Sequence, residues 1–441
     1  MSAASYVFCL RSAAPRLLRA GGRRQWRWLL RPLSTTGGVV DVESDAGFCE
    51  QLWGLCERER ESEERLSRKR ALFLRLQEAA LEGGADADWP GPYRLYGAGS
   101  SAAGLATRDS DLDLVLVDPA RKPHLLGSFV PRAEQMRLLS RLRSRLGSAP
   151  ARSLLGAHSM TLIKSHVPIL KIHCDYPNSD LELDVSAAGD SPLRSGFLLQ
   201  RYVKMDRRFG AMALLVRQWA QANGLMRSVE GLFGHHTFVL LALFYLQMAT
   251  PPVLPNLLAE FPECFGPLVP LPNLLNFNRE EFEWELAERF TTANHLKLDQ
   301  LLHGFFRYFT EEVDFEEVTL CMAEADFKAG VLYDGLVSLE DHYSRDLPRG
   351  VCRGKRCTVS TLDRHMRSAL DQLSDENGKF DWLDFVSGSR SDRGSRQSNR
   401  QPQSQQQRRG VHQATLLHKD QRRARHETHH SRPMQGGVRR G

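Results

Sequence analysis

The sequence predicts an α+β protein, a small mixed sheet with helices followed by a mostly helical region. Three observations lead there. Short alternating runs that read as strands fall at Tyr93–Tyr96, Asp111–Val117, Ile169–His173 and Leu181–Ser186. A basic amphipathic segment, Arg132–Leu146, lies between the second and the third. After Pro192 the apolar spacing becomes helical and stays so. With 441 residues, 41% of them apolar, the chain can bury a sizeable core in two or three domains, which excludes collagen-like, wholly disordered and disulfide-framework classes. No uncharged apolar run approaches the ~20 residues that span a bilayer. The longest, Thr237–Met248, has the length of a core helix, so no membrane insertion is expected. Eight Cys with no CxxC pair fit free thiols in a reducing compartment.

Taken in order, residues 41–88 read as a charged helical segment, with Phe48, Leu52 and Leu55 on one stripe and Leu72, Leu76 and Ala79 continuing it. The run GGADADWPGP then breaks the pattern. Residues 89–200 hold the predicted sheet, and residues 201–385 the helical region. Its helices are expected at Phe197–Val203, Ala211–Asn223, Thr237–Met248 and Leu298–Phe309. The aromatics of HGFFRYF repeat at helical spacing and read as core; Cys49 and Cys56, seven apart, read as packing residues. Cys352 and Cys357 flank a basic loop but lack a second pair of ligands for zinc.

The formal charge of +6 averages three unlike pieces. Residues 1–40 carry seven Arg and no acid, and residues 386–441 carry twelve Arg and one Lys against three acids. Removing both ends from the totals leaves 39 bases and 50 acids, a body at −11. The first end, rich in Arg, Ala, Leu and Ser, has the composition of a mitochondrial transit peptide. If it is not one, a cytoplasmic location is the alternative. The last end is Ser/Gln/Arg-rich and too poor in apolar residues to repay ordering, so a disordered basic tail is expected.

The chemistry concentrates in GSSAAGLATRDSDLDL, residues 99–114. A strand runs into a Gly-Ser turn, and twelve residues after Gly99 comes Asp111-Leu-Asp113 opening another strand. Residues i and i+2 of a strand share a face, so the two carboxylates are expected to point together while Leu112, Leu114 and Leu116 enter the core. Carboxylates held that close repel unless a cation lies between them, and Mg²⁺ or Mn²⁺ suits their oxygens. Gly99 permits close backbone approach to a phosphate, and Ser100 and Ser101 add hydroxyl and amide donors. Asp184, in the alternating run LELDVS, supplies a third carboxylate, a set suited to two-metal phosphoryl or nucleotidyl transfer. An isolated DxD is common on solvated strand faces; the Gly-Ser turn and the third carboxylate set this one apart.

These residues resemble the signature of the polymerase-β-type nucleotidyltransferases, in particular the poly(A) polymerase/terminal uridylyltransferase branch. The resemblance continues through Val167–Ile172 with LELDVS, LLVRQWAQANGL (214–225), TFVLLALFYLQ with PPVLPNL, and LDQLLHGFFRYF with VSLED (337–341). It implies a nucleotidyltransferase palm followed by a helical poly(A)-polymerase-associated domain. It implies metal binding by Asp111, Asp113 and Asp184, with Asp184 activating the RNA 3′-hydroxyl, and triphosphate contacts from Gly99, Ser100 and Arg217. The substrates implied are RNA 3′ ends and ATP, with UTP as the alternative nucleotide; a homodimer is a candidate assembly.

The chain also departs from that family. Ser195 stands where the family has an Asn that meets the ribose, His235-His236 where many members have Ser-Tyr, and Gln221 where a second Lys is common. Such changes fit either a divergent enzyme or an RNA-binding partner with little turnover. In uridylyl-adding members a His beyond the Glu-Asp of the associated module reads uracil; here that position falls on Leu347, which predicts a preference for ATP. The targeting reading has a direct check. Residues 1–34 fused to a fluorescent reporter should send it to mitochondria, and the same segment with every Arg changed to Gln should not; cytosolic fluorescence of the intact fusion overturns the reading.

Overall fold

A computed structural model of the chain describes residues 43–82, 91–122, 130–226, 231–277, 290–331, 334–343 and 356–374, with Phe282, Glu283, Leu286, Arg289, Trp382 and Val386 besides. The transit-peptide segment, most of GGADADWPGP, Leu347, Cys352 and the basic tail lie outside the described residues. The chain divides into two units, residues 1–383 and 384–441, and both sheets and the helices around them lie in the first.

Two helices come first, α1 (Ala46–Glu59) and α2 (Glu63–Glu82), where the sequence pattern suggested one continuous segment. The break has a partner. Arg60 bridges Thr107, the Glu61 amide donates to the Ala106 carbonyl (3.1 Å), and the Arg108 amide donates to the Glu59 carbonyl (3.1 Å). The knee between the helices is thus paired to the loop between the Gly-Ser turn and Asp111.

The sheet holds β1 (Arg94–Gly97), β2 (Leu112–Val117), β3 (Ala157–Ile163), β4 (Ile169–Cys174) and β5 (Glu182–Ser186), in the spatial order β1-β2-β5-β4-β3. Only the β2–β5 pair is parallel. All four predicted strands are present, and β3 is an addition. Asp111 lies one residue ahead of β2 rather than within it. Alternation sends Leu112, Leu114, Leu116, Leu170, Ile172, Leu183 and Val185 to one face. There they meet Leu72, Leu76 and Ala79 of α2 and Leu138, Leu139, Leu142 and Leu146 of α4 (Arg132–Leu146), the basic segment at its predicted bounds, which follows the short α3 (Gly99–Ala103). The short α5 (Ala149–Leu155) completes this layer. On the other face, Val115, Val117 and Ala98 are covered by Leu271 and Leu274, while Asp113, Asp184 and Lys171 alternate onto this face.

Four helices of ten or more residues come next among the described residues, α6 (Ser191–Met205), α7 (Arg207–Ala222), α8 (His235–Met248) and α9 (Leu298–Arg307), with shorter helical turns between the last two. A π-turn, Tyr308–Glu312, ends α9 two residues short of the predicted bound. Trp219 of α7 meets Phe306 edge-on at 4.9 Å, and Phe305, Phe306 and Phe309 are buried, so HGFFRYF is core. Cys49 and Cys56 are buried as expected of packing residues. The region predicted as helical also contains a small sheet, β6 (Val318–Cys321), β7 (Asp326–Ala329) and β8 (Ser338–Glu340), in the order β7-β6-β8. β6 is buried at every position, β7 is mostly exposed and β8 has only three residues, so none shows the alternation that marks a half-buried strand in sequence. Helix α10 (Val359–Leu373) closes the unit. Helix α1 joins the first and last parts: Ser44 Oγ and the Asp45 amide donate to Asp299 of α9 (3.2 and 3.0 Å), and the Arg207 guanidinium stacks over Trp53.

Candidate active site

The Gly-Ser turn is built where β1 ends. Gly99 opens α3 with φ +63°, and a Cβ there would fall inside the Asp113 carboxylate, so only glycine fits. The Ala98 amide donates to the Asp113 carbonyl (2.9 Å), which locks the turn to β2. On β5, Asp184 is the direct cross-strand partner of Asp113. Neighbouring strands lie about 4.8 Å apart, so two carboxylates that are 71 positions apart in the sequence stand side by side. Burial, and then the charges of Asp184 and Asp111, push the Asp113 carboxyl up to about 6. Asp111 is raised too, by burial first, although Lys171 and Lys69 work against the shift.

Such crowding of carboxylates fits an oxygen-seeking divalent cation. Among the described residues no three His, Cys, Asp or Glu side chains close a metal cage. An open set of this kind suits Mg²⁺, which keeps waters and takes further oxygens from substrate phosphates. Lys171 of β4 holds the far side: its Nζ lies 3.3 Å from Asp184 Oδ1 and donates to Glu182 Oε2. Burial opposes the ammonium charge of Lys171, but the two carboxylates outweigh it and raise its pKa.

Lys69 of α2 belongs to none of the motifs that the sequence singles out. Its side chain is 2% exposed, paired with Glu61 at 2.6 Å, and its Nζ donates to Ser101 Oγ (2.9 Å) and to the carbonyls of Ser110 (2.7 Å) and Asp111 (3.1 Å). One buried ammonium therefore ties the serine turn to the backbone of the first metal-binding candidate. A signal existed: positions 69, 72, 76 and 79 form one helical stripe, and a Lys on an apolar stripe calls for a buried partner. Arg65, one turn earlier, adds to this brace through Glu61 (3.1 Å) and the Ser110 carbonyl (3.3 Å).

The other predicted residues lie on the Gly-Ser turn itself and on α6, α7 and α8. Arg217 of α7 donates to the Leu105 carbonyl (3.0 Å), just beyond the Gly-Ser turn; burial lowers its pKa, and its Nε has no hydrogen-bond partner. The pKa of His235, at the start of α8, is lowered by burial and then by the nearby Arg217 charge, both of which favour the neutral imidazole. His236 lies 3.7 Å from Asp341 Oδ2, just past β8. Burial would raise the Asp341 carboxyl, but His236 and His342 beside its oxygens hold it well below the usual carboxylate range. His236 is thus oriented by an acid. Ser195 is buried in α6, next to Gly196, which abuts Ala102 of the turn, and Gln200 of the same helix donates to the Ala102 carbonyl (2.9 Å). Ser100 heads the same turn, accepting from the Leu105 amide (2.9 Å). Gln221 lies one turn beyond Arg217 on α7. A separate cleft of about 210 Å³, lined by Lys204, Asp206, Leu254 and Phe290, contains none of the predicted site residues.

Palm sheet, glycine turn and strand carboxylates together define the polymerase-β-type nucleotidyltransferase fold. The fold is similar to that of a GLD-2 solved in complex with RNP-8, with TM-score 0.62 and 20% identity over 79% of this chain and 99% of that one. It is similar also to the Cid1 poly(U) polymerase bound to MgGTP, with TM-score 0.59 and 20% identity over 78% and 99%. Residues 48–204 match the family model described as poly(A) RNA polymerase, mitochondrial-like, central palm domain. Among curated relatives, the poly(A) RNA polymerase GLD2 of Xenopus tropicalis is 30% identical over 53% of this chain and 40% of its own length. The human GLD2 is 26% identical over 53% and 45%. The chain thus spans less than half the length of the curated relatives it matches.

This geometry has two measurable outcomes. A folded-state carboxyl raised from 3.8 to about 6 contributes stability below pH 3.8 that is lost as the pH rises through 6. Without divalent ions at pH 7.5, Asp113→Asn should therefore melt higher than wild type, by up to about 3 kcal/mol of stability, with the difference vanishing below pH 4. Mg²⁺ should stabilise wild type more than the variant; identical melts throughout would contradict the crowding. Lys69→Met should cost about 3 kcal/mol in denaturant unfolding, because Glu61 keeps only Arg65 as a partner and the Ser110 and Asp111 carbonyls lose the Lys69 donor, and Glu61→Gln added to it should restore part of the loss. A double variant as unstable as the single one would show that the pair is not the cause.

Proposed function

We propose that this chain is a template-independent RNA 3′-end nucleotidyltransferase, a poly(A) polymerase that adds AMP from ATP to RNA and releases pyrophosphate. One observation carries the reading: Asp113 and Asp184 face each other across the parallel β2–β5 pair with Gly99 packed against Asp113. In this reading Asp111 and Asp113 hold Mg²⁺ or Mn²⁺. When bound, the divalent cations, two in the mechanism we infer, neutralise charge on the attacking and leaving oxygens. The amides and hydroxyls of Ser100 and Ser101 cradle the triphosphate, with Arg217 as a further cation on it. Asp184 orients the 3′-hydroxyl of the RNA and takes its proton. The base lies toward His235 and His236, where a neutral imidazole offers a stacking surface. The acid-free, Arg-rich residues 1–40 support action in mitochondria.

The decisive assay is primer extension on oligo(A) with each nucleoside triphosphate, beside Asp111→Ala/Asp113→Ala with folding confirmed by circular dichroism. We expect AMP tails, and at least a 10³-fold loss in the double variant, since removing metal ligands forfeits several kcal/mol of transition-state stabilisation. In competition at equal ATP and UTP, the sequenced tails should be mainly A. Tails of U would replace the adenylyl reading with uridylyl transfer, and no extension with any nucleotide would reduce the chain to an RNA-binding partner.

A further inference from the structure

Helix α4 carries charge that the nucleotidyl-transfer site does not use. Its inner face, Leu138, Leu139, Leu142 and Leu146, packs under the sheet, and Arg145 is turned inward, donating to the Ala80 carbonyl (3.0 Å). Its outer face exposes Arg137, Ser140, Arg141, Arg143 and Ser144. The helix's one acid, Glu134, is turned to Tyr93, whose hydroxyl donates to it (2.7 Å). Among the described residues none of Arg137, Arg141 and Arg143 has an acidic partner. The body as a whole stands at −11, so an unneutralised all-arginine stripe runs against the overall charge. Arg137 and Arg141 are one turn apart, which places their Cβ atoms about 5–6 Å from each other with a serine hydroxyl between.

We propose that this face of α4 holds the phosphodiester backbone of the substrate RNA upstream of its 3′ end. The proposal rests on the function given above and extends it to a second site, behind the sheet. Guanidinium forks match phosphate geometry, and an alternation of Arg and Ser offers charge and hydroxyl donors without reading bases. A continuous route exists. From Asp184 on β5 the register runs through Lys171 on β4 to Thr161 on edge strand β3, two strand spacings or about 10 Å. The β3–β4 turn is fastened to the start of α4, because the Arg132 guanidinium donates to the carbonyls of Lys164 (3.0 Å) and Ser165 (3.2 Å). An RNA leaving the acidic site over that edge meets the arginines within a few nucleotides, so short primers end before them and long ones do not.

The test compares the full chain with Arg137→Gln/Arg141→Gln/Arg143→Gln, exposed changes to a good helix former that should leave the melting temperature unchanged. Binding of 20-nucleotide and 4-nucleotide oligo(A) is measured by fluorescence anisotropy across a salt series. The variant should bind the long RNA about 10-fold more weakly near 0.1 M salt, and its salt slope should fall by about 2, the value for three lost phosphate contacts at ~0.7 each. Affinity for the short RNA and KM for ATP should not change. Equal long-RNA affinity and slope for both proteins overturns the proposal. Loss of binding to poly-glutamate with RNA binding intact overturns it in favour of an acidic protein partner. Wild type that binds oligo(A) but adds no nucleotide refutes the polymerase reading while the RNA face stands; wild type that binds no RNA refutes both.

Discussion

The repulsion between Asp113 and Asp184 is the constraint around which the palm is arranged. Two half-buried carboxylates in register on adjacent strands destabilise the fold unless something positive stands near them. The surrounding structure answers in two ways. Lys171 lies against Asp184, and Gly99 gives up a side chain so that its backbone can close on Asp113. What remains is an open set of oxygens, a poor stability feature and a good seat for a divalent cation. The two faces of the sheet divide these demands. Leucines of α2 and α4 bury one face completely, which frees the alternate positions of the same strands for charge.

That arrangement holds only if the loop from Ser101 to Asp111 keeps its place, and the loop has no core of its own. The N-terminal helices supply the support. The knee at residues 59–61 pairs with residues 106–108, and Lys69 grips the loop's two ends through Ser101 and the Asp111 carbonyl. Meanwhile α1 is fastened to α9 through Asp299. The family match, which begins at residue 48, includes these helices with the palm, in keeping with a brace that belongs to the site.

Charge is segregated across the same sheet. Acid gathers on the face that bears Asp113 and Asp184, and arginine on the outer side of α4, so the net −11 of the body conceals a polarity perpendicular to the strands. An anionic polymer is repelled by the carboxylates until cations are present, and is attracted at the back. Net charge alone, with its positive excess at the two ends of the chain, does not reveal this division.

Much of this was legible in the residue order. The Gly-Ser turn followed by Asp111-Leu-Asp113, the alternation that named Leu112, Leu114 and Leu116 as core, and the bounds of α4 all arise from periodicities of two and 3.6, which are local and so written in the sequence. The apolar stripe of HGFFRYF was legible for the same reason. That Asp184 joins the two aspartates was legible as well, but its place directly opposite Asp113 is a matter of strand register. Other pairings between distant segments were not legible: that Lys69 reaches Ser101 depends on how α2 lies against the palm, and that His236 meets Asp341 depends on how β8 closes on α8. The three short strands at 318–340 escaped because β6 is buried throughout, β7 is mostly exposed and β8 has only three residues, so none alternates. Local spacing determines which residues are charged, apolar or flexible and on which face each lies. Only the tertiary structure decides which of those faces meet, because burial and register are properties of segments brought together from far apart in the chain.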